Sequence, residues 1–241
     1  MSDKTSLGDR IKVYESVSKN FLTRRLPCII RLDGKSFHTF TKDMEKPFDP
    51  KMNACMEATA LNLCEEIQGC KFAYFQSDEI SLLLTDYDTI QTDAWFSYNI
   101  QKMVSISASL ATSFFQRECR TWFPNKSKLN PIFDSRVFSL PHDEVCNCLL
   151  WRQQDSTRNS IQMLGQANFS HKELQGKSCS DVQDMLMLQK QINWNDLETR
   201  YKRGTAIYKK DGIWFVDKEM PILTQDRDFV EKWVYFKDEK L

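Results

Sequence analysis

Two carboxylates occupy positions from which a chain could do chemistry. Asp33 ends the apolar run Cys28-Ile29-Ile30-Arg31-Leu32 and precedes Gly34, and Asp78 lies in the short polar break Gln76-Ser77-Asp78-Glu79 between two apolar runs. If both breaks fall at one edge of one sheet, the carboxylates converge. Close carboxylates repel each other, and a divalent cation relieves the repulsion. Magnesium takes one or two carboxylates and keeps positions for phosphate oxygens, so such a pair fits metal-assisted phosphoryl transfer. The plainer alternative makes each Asp a turn former that caps nearby backbone, a common use of this residue. Spacing leaves both readings open. Glu79 invites a general-base role, but neighbouring side chains in a turn diverge, so it is assigned only support. His142, Cys146 and Cys148 resemble part of a zinc cluster, yet a fourth ligand is missing and Cys-x-Cys is not the usual spacing.

The elements that must position these acids follow from periodicity. Cys28 to Asp33 reads as a strand after Pro27, with Gly34 allowing a sharp turn. Met52, Cys55, Met56, Thr59, Ala60, Leu63, Cys64 and Ile67 recur in steps of three and four, which traces one helix stripe ending near Gly69. Lys71 to Phe75 and Ile80 to Thr85 form two strands joined by the turn that holds Asp78. A second helix is expected over Trp95 to Phe115, on the stripe Phe96, Ile100, Met103, Ser107, Leu110, Ala111 and Phe114, and a fourth strand over Phe133 to Leu140, stopped by Pro141. The order β-α-β-β-α-β is the split βαβ arrangement of α+β, ferredoxin-like domains. In that sheet the first and third strands are central neighbours, which brings Asp33 and Asp78 to one edge. Residues 1–140 are assigned to this domain and 141–241 to an appendage packed on it. The appendage is expected to have helices over Asp143 to Asn168 and Ser180 to Gln189, with short strands over Tyr201 to Lys209 and Gly212 to Val216.

Composition narrows the class. The chain has 241 residues, 41% hydrophobic and 27% charged, with 7 Gly and 7 Pro, which excludes disordered, collagen-like and low-complexity classes. No apolar run approaches the roughly 20 residues of a membrane span. Met1 to Arg10 carry no apolar core of a secretory signal, so a cytoplasmic location and free thiols at all eight cysteines are expected. Lys plus Arg and Asp plus Glu both number 33, so net charge selects no partner. Local excess does more: Arg117, Arg120, Lys126, Lys128 and Arg136 form one basic stretch, and Arg200, Lys202, Arg203, Lys209 and Lys210 another. Either could follow a phosphate backbone or be a solvated face.

A resemblance joins these pieces. Arg31-Leu32-Asp33-Gly34-Lys35-Ser36-Phe37-His38-Thr39-Phe40, Lys46-Pro47 and Tyr74-Phe75-Gln76-Ser77-Asp78-Glu79 closely resemble the tRNA-histidine guanylyltransferase family. The likeness continues through Phe133-Asp134-Ser135-Arg136-Val137, Trp151-Arg152-Gln153-Gln154-Asp155 and Lys202-Arg203-Gly204-Thr205, in the family's order and over nearly the whole chain. The resemblance implies a polymerase-like palm and an enzyme that adds nucleotides to RNA 5′ ends in the 3′→5′ direction. It implies two Mg²⁺ held by Asp33, Asp78 and the carbonyl oxygen of Gly34. It also implies a pocket for ATP or GTP lined by Asp33, Gly34, Lys35, Ser36, Phe37, His38, Ser77 and Asp78, with Lys46 and Lys102 as triphosphate-binding lysines. Arg136, Asp155, Asn159, Lys202 and Arg203 match family positions and are assigned to RNA contact, their separate roles undefined.

The implied chemistry has two steps: AMP is transferred from ATP to an RNA 5′-monophosphate, and a nucleotide 3′-hydroxyl then expels AMP. One segment departs from the pattern. Eukaryotic members specialised for tRNA-His carry His-Ile-Asn-Asn-Leu-Tyr-Asn where this chain has Thr157-Arg158-Asn159-Ser160-Ile161-Gln162-Met163. The departure is similar to the guanylyltransferase-like branch of bacteria and archaea, which implies templated repair of tRNAs lacking 5′ nucleotides and a homo-oligomer, typically a tetramer. The competing functions are a palm-type nucleotide cyclase and a non-catalytic RNA-binding module. The first leaves the appendage and basic stretches without a role, and the second leaves the two carboxylates without one.

Overall fold

The structure, a computed structural model, describes residues 6–126 and 130–235. Lys128, counted above in the first basic stretch, lies outside the described residues. In chain order come α1 (Ser6–Ser16), β1 (Cys28–Lys35), the single turn α2 (Phe37–Phe40), α3 (Pro50–Glu66), β2 (Cys70–Gln76) and β3 (Glu79–Leu84). They are followed by α4 (Ile100–Trp122), β4 (Ile132–Ser139), α5 (Val145–Asn168), α6 (His171–Leu174), α7 (Cys179–Lys190), α8 (Thr199–Arg203), β5 (Thr205–Lys210), β6 (Ile213–Asp217) and α9 (Asp228–Glu231).

The strands form one six-stranded sheet in the order β4-β1-β3-β2-β5-β6, and every neighbouring pair is antiparallel. The first four strands have the ferredoxin-like order expected from β-α-β-β-α-β. The hairpin β5–β6 of the C-terminal segment continues the same sheet beyond β2. Alternation along the strands supplies two cores. Cys28, Ile30, Leu32, Ile80, Leu82, Ala73 and Phe75 pack under α3 and α4, whereas Ile29, Leu83, Phe72 and Tyr74 pack against Val145, Cys146 and Leu149 of α5. A third cluster, Ile161, Leu164, Val182 and Leu186, joins α5 to α7.

Local chemistry explains the helix starts. Asp49 caps α3, its Oδ1 accepting from the backbone N–H of Lys51 at 2.8 Å and of Met52 at 3.1 Å, with Pro50 in the first helical position. Its buried stripe is the expected one, from Cys55 to Cys64. The second expected helix begins later. Phe96, Ser97 and Tyr98 all have positive φ (49°, 51° and 60°), which reverses the chain before α4. Trp95 and Tyr98 are buried while Phe96 is expelled to solvent, and Asn99 then caps the helix. The first appendage strand also begins later than expected, at Thr205, because Tyr201 belongs to α8. All eight cysteines are free thiols. Cys146 is buried beside the Arg227 carbonyl, and His142 stacks on Tyr235. Among the described residues no group of three His, Cys, Asp or Glu side chains forms a metal cluster, and no helix is long and apolar enough to cross a membrane.

Candidate active site

The end of the sheet where β1 runs out and β2 turns into β3 carries both acids. β1 continues through Gly34, which pairs with Phe133, so the expected turn at the glycine falls two residues later, at Ser36 (φ 57°). Gly34 is required for a different reason. A Cβ there would lie 2.4 Å from Cδ2 of Phe37, whose ring packs onto Phe115 and Phe133. The N–H of Gly34 donates to the carbonyl oxygen of Asp78 at 3.1 Å, which ties the end of β1 to the β2–β3 turn. That turn is reached through Ser77 in the left-handed region (φ 49°). The left-handed Ser36 followed by the right-handed turn α2 is the backbone succession that forms anion-holding nests.

Burial pushes the Asp78 carboxyl above the usual aspartate range, and the nearby Asp33 carboxylate adds to the rise, against hydrogen bonds from its own backbone and from Ser77. Asp33 pairs across the sheet with Glu79 and with Asp134. Two hard oxygen donors of like charge, beside the Gly34 backbone, are a donor set suited to a divalent cation.

A cavity of about 440 Å³ opens beside this edge. Of the expected nucleotide residues, Gly34, Ser36, Phe37, His38, Lys46, Ser77 and Asp78 line it. Asp33, Lys35 and Lys102 do not. Strand alternation sends Asp33 and Lys35 to the sheet face opposite Gly34, and Lys102, in the first turn of α4, sits 5.9 Å from the exposed Phe96 ring. The Lys46 ammonium lies 3.4 Å from the Thr41 carbonyl oxygen.

The far wall comes from the C-terminal segment. Ser156, Asn159, Ser160 and Met163 of α5 and Arg200 and Tyr201 of α8 line the cavity. Tyr201 stacks on Phe48 with ring centroids 4.7 Å apart and planes within 10°. Two hydrogen bonds hold α8 in place: the Thr157 hydroxyl donates to the Lys202 carbonyl at 3.1 Å, and the Tyr74 hydroxyl to that of Arg203 at 2.9 Å. Gly204 (φ 84°) then passes over the Tyr74 ring, where a Cβ would meet Cε2 at 2.5 Å. Of the residues assigned to RNA, only Asn159 lines the cavity. Arg136 lies 3.5 Å from Asp134 and is half-exposed, and the Lys202 ammonium donates to the Asn195 carbonyl.

Sequence reasoning missed Ser156, Ser160 and Met163, although with Asn159 they recur at steps of three, one and three, which is one face of a helix. It also missed what Glu79 does. Glu79 is buried and accepts a 2.6 Å hydrogen bond from Nε of Arg152, which is itself buried. Burial raises its pKa, against the pull of Arg152 and Arg31.

The arrangement has counterparts. The family model for tRNAHis guanylyltransferase (Thg1) matches residues 8–141. The chain belongs to the tRNAHis guanylyltransferase family. Similar proteins include a probable tRNA(His) guanylyltransferase of Dictyostelium discoideum, 30% identical over 214 residues, covering 83% of this chain and 81% of that one. A solved bacterial tRNA(His) guanylyltransferase (Thg1)-like protein in complex with ATP superposes with a TM-score of 0.92 at 48% identity, covering 95% of this chain and all of the other. A second such bacterial protein, in complex with GTP, gives 0.83 at 42% identity over the same shares. Membership in the tRNAHis guanylyltransferase family makes the chain a nucleotidyltransferase, and the two bacterial structures agree with the branch implied by the departure at Thr157–Met163.

Proposed function

We propose that the protein adds nucleotides to the 5′ end of tRNA in the 3′→5′ direction, chiefly to refill truncated acceptor stems against the opposite strand. The observation that carries this reading is the pair Asp33 and Asp78 at one sheet edge, beside a cavity walled by both the palm and the C-terminal segment. Relatives of the same fold bind ATP and GTP. A nucleoside triphosphate fits the cavity with its base toward the Phe48–Tyr201 stack and its phosphates toward Ser36, Ser77 and Lys46. In the first step an oxygen of the RNA 5′-phosphate attacks the α-phosphorus of ATP and pyrophosphate leaves. In the second, the 3′-hydroxyl of the incoming nucleotide attacks the activated 5′-phosphate and AMP leaves. A 5′-triphosphate end needs only the second step. Two Mg²⁺ at Asp33, Asp78 and the Gly34 carbonyl would lower the pKa of the attacking hydroxyl and neutralise leaving-group charge.

Thr157 supports the choice of substrate. Its hydroxyl is committed to the Lys202 carbonyl and offers no imidazole for acid–base work or stacking. Selection of the incoming nucleotide then falls to pairing, which positions the 3′-hydroxyl, and poor positioning alone costs about 10²-fold in rate. The test supplies 5′-truncated tRNAs of several identities with labelled nucleotides and sequences the extended ends, beside full-length tRNA-His offered GTP. Complementary filling of several tRNAs is expected. Faster unpaired addition restricted to tRNA-His would refute repair and leave the 3′→5′ chemistry standing.

RNA contact is assigned to the basic end of α8. Neutralising Lys202 and Arg203 together should weaken tRNA binding and reduce its salt slope by about 1 to 2, as measured by titration at several salt concentrations. An unchanged slope makes this a solvated face. A homotetramer, whose subunits share one RNA, reconciles the neutral chain with RNA binding and is checked by light scattering.

A further inference from the structure

One buried arginine has no part in the steps above. Arg152 of α5 donates through Nε to Oε1 of Glu79 at 2.6 Å and through Nη2 to Oδ2 of Asp155 at 2.7 Å. Its guanidinium also lies 4.3 Å from the centre of the Trp151 ring. The side chains of Arg152 and Glu79 are only 8% and 9% exposed. Asp155 is fixed in turn, its other oxygen accepting from Arg158 at 2.7 Å, while Nδ2 of the cavity residue Asn159 donates to Oδ2 at 3.4 Å. Glu79 follows Asp78 in the chain and stands opposite Asp33 across the sheet. A single planar group, held by two carboxylates and a ring, therefore immobilises the residue that adjoins one acid of the pair and pairs in register with the other. Only a guanidinium suits the task. Its donors form a rigid fork, whereas an ammonium on a flexible stem cannot hold two carboxylates in one plane.

We propose that Arg152 is a positioning residue of the Asp33–Asp78 pair: it pins Glu79 against α5 and thereby sets the separation and direction of the two carboxylates that receive a divalent cation. The chain Glu79–Arg152–Asp155–Asn159 also makes the acid turn and the α5 wall of the nucleotide cavity one connected unit. The inference rests on the metal reading of Asp33 and Asp78 proposed above. A brace that merely held the fold together would leave cation affinity unchanged in any variant that still folds.

The test titrates the full-length protein with Mn²⁺, without nucleotide or RNA, and counts free ion by electron paramagnetic resonance. R152K retains the charge and loses the fork. Its Mn²⁺ affinity should fall by about tenfold, the usual scale for residues that orient metal ligands. D155N frees one side of the guanidinium at a less buried position and should weaken Mn²⁺ binding in the same direction by less. If R152K does not fold, D155N decides. D78N separates the two levels. Mn²⁺ binding that is lost in D78N but kept at wild-type strength in folded R152K, or in D155N when R152K is unfolded, overturns the brace alone. A wild-type protein that binds no Mn²⁺, or a D78N that binds it as wild type does, overturns the metal reading and the brace with it.

Discussion

The carboxylates at this end of the sheet fall into two groups that meet their charge differently. On the α5 side, Glu79 and Asp155 are paired with Arg152 and Arg158 at 2.6–2.7 Å. In the turn itself, Asp78 is held by backbone and Ser77 contacts, with Asp33 nearby as a like charge. Asp78 and Glu79 are consecutive residues, yet one belongs to each group, because the turn ends where β3 begins and strand alternation takes over. The comparison separates acids that are ion-paired within the chain from acids that are not. The first kind has its counter-ion built in. The second is partly buried and has no ion-pair partner among the described residues, an arrangement that is costly unless a bound cation supplies the charge.

The largest expected effect breaks the second group. Asp78→Asn retains size and hydrogen bonding but removes the charge, and nucleotide addition should fall on the order of 10³-fold or more, since a metal contributes several kcal/mol to the transition state. Its metal-free stability in urea should be equal to or above that of the wild type. A folded D78N with substantial magnesium-dependent addition would sink the assignment.

Breaking the structural group should act on stability instead. Arg152→Met strands a buried carboxylate and should cost about 3–5 kcal/mol in urea unfolding, the scale for a broken buried pair. Adding Glu79→Gln to R152M should recover much of that loss, because no uncompensated charge remains. If the double variant is no better than R152M, Glu79 is not the partner that matters.

A smaller effect sharpens the comparison through pH. The Asp78 carboxyl is raised above its unfolded value by burial and by Asp33, so its contribution to stability is complete below the unfolded value and lost as pH rises through the folded one. Asp155 has the opposite sign. Burial works against its charge, but Arg158 and Arg152 hold it below its unfolded value. Its contribution is therefore present above the unfolded value and lost as pH falls through the folded one. Urea midpoints measured in EDTA across the acid range should show D78N removing the first dependence and D155N the second. Saturating Mg²⁺ should abolish the first and leave the second. Identical pH profiles for the two variants would show that the two groups do not differ as described.

Much of the fold is legible in the sequence. The stripe from Cys55 to Cys64, the strand Cys28 to Asp33 and the break at Ser77-Asp78 depend on neighbours within a few residues, so periodicity and turn chemistry expose them. The start of α4 is not legible, because Phe96 fits the helical stripe by spacing and nothing local announces three consecutive left-handed residues. Gly34 stands out in the sequence as a turn glycine, but in the fold it makes room for the Phe37 ring, a contact invisible to a rule about turns.

By itself, the sequence determined the order of elements, the ferredoxin-like pairing of the first four strands and the meeting of Asp33 with Asp78, because each follows from local periodicity plus the few topologies open to β-α-β-β-α-β. Tertiary structure alone decided that α5 and α8 wall the cavity, that β5–β6 extend the sheet and that Glu79 is spoken for. The ion pair joins residues 73 apart, and Tyr201 meets Phe48 from the other end of the chain. Such contacts have no local signature. They form only when strand alternation directs a side chain to one face and a distant helix lays its own partner across it.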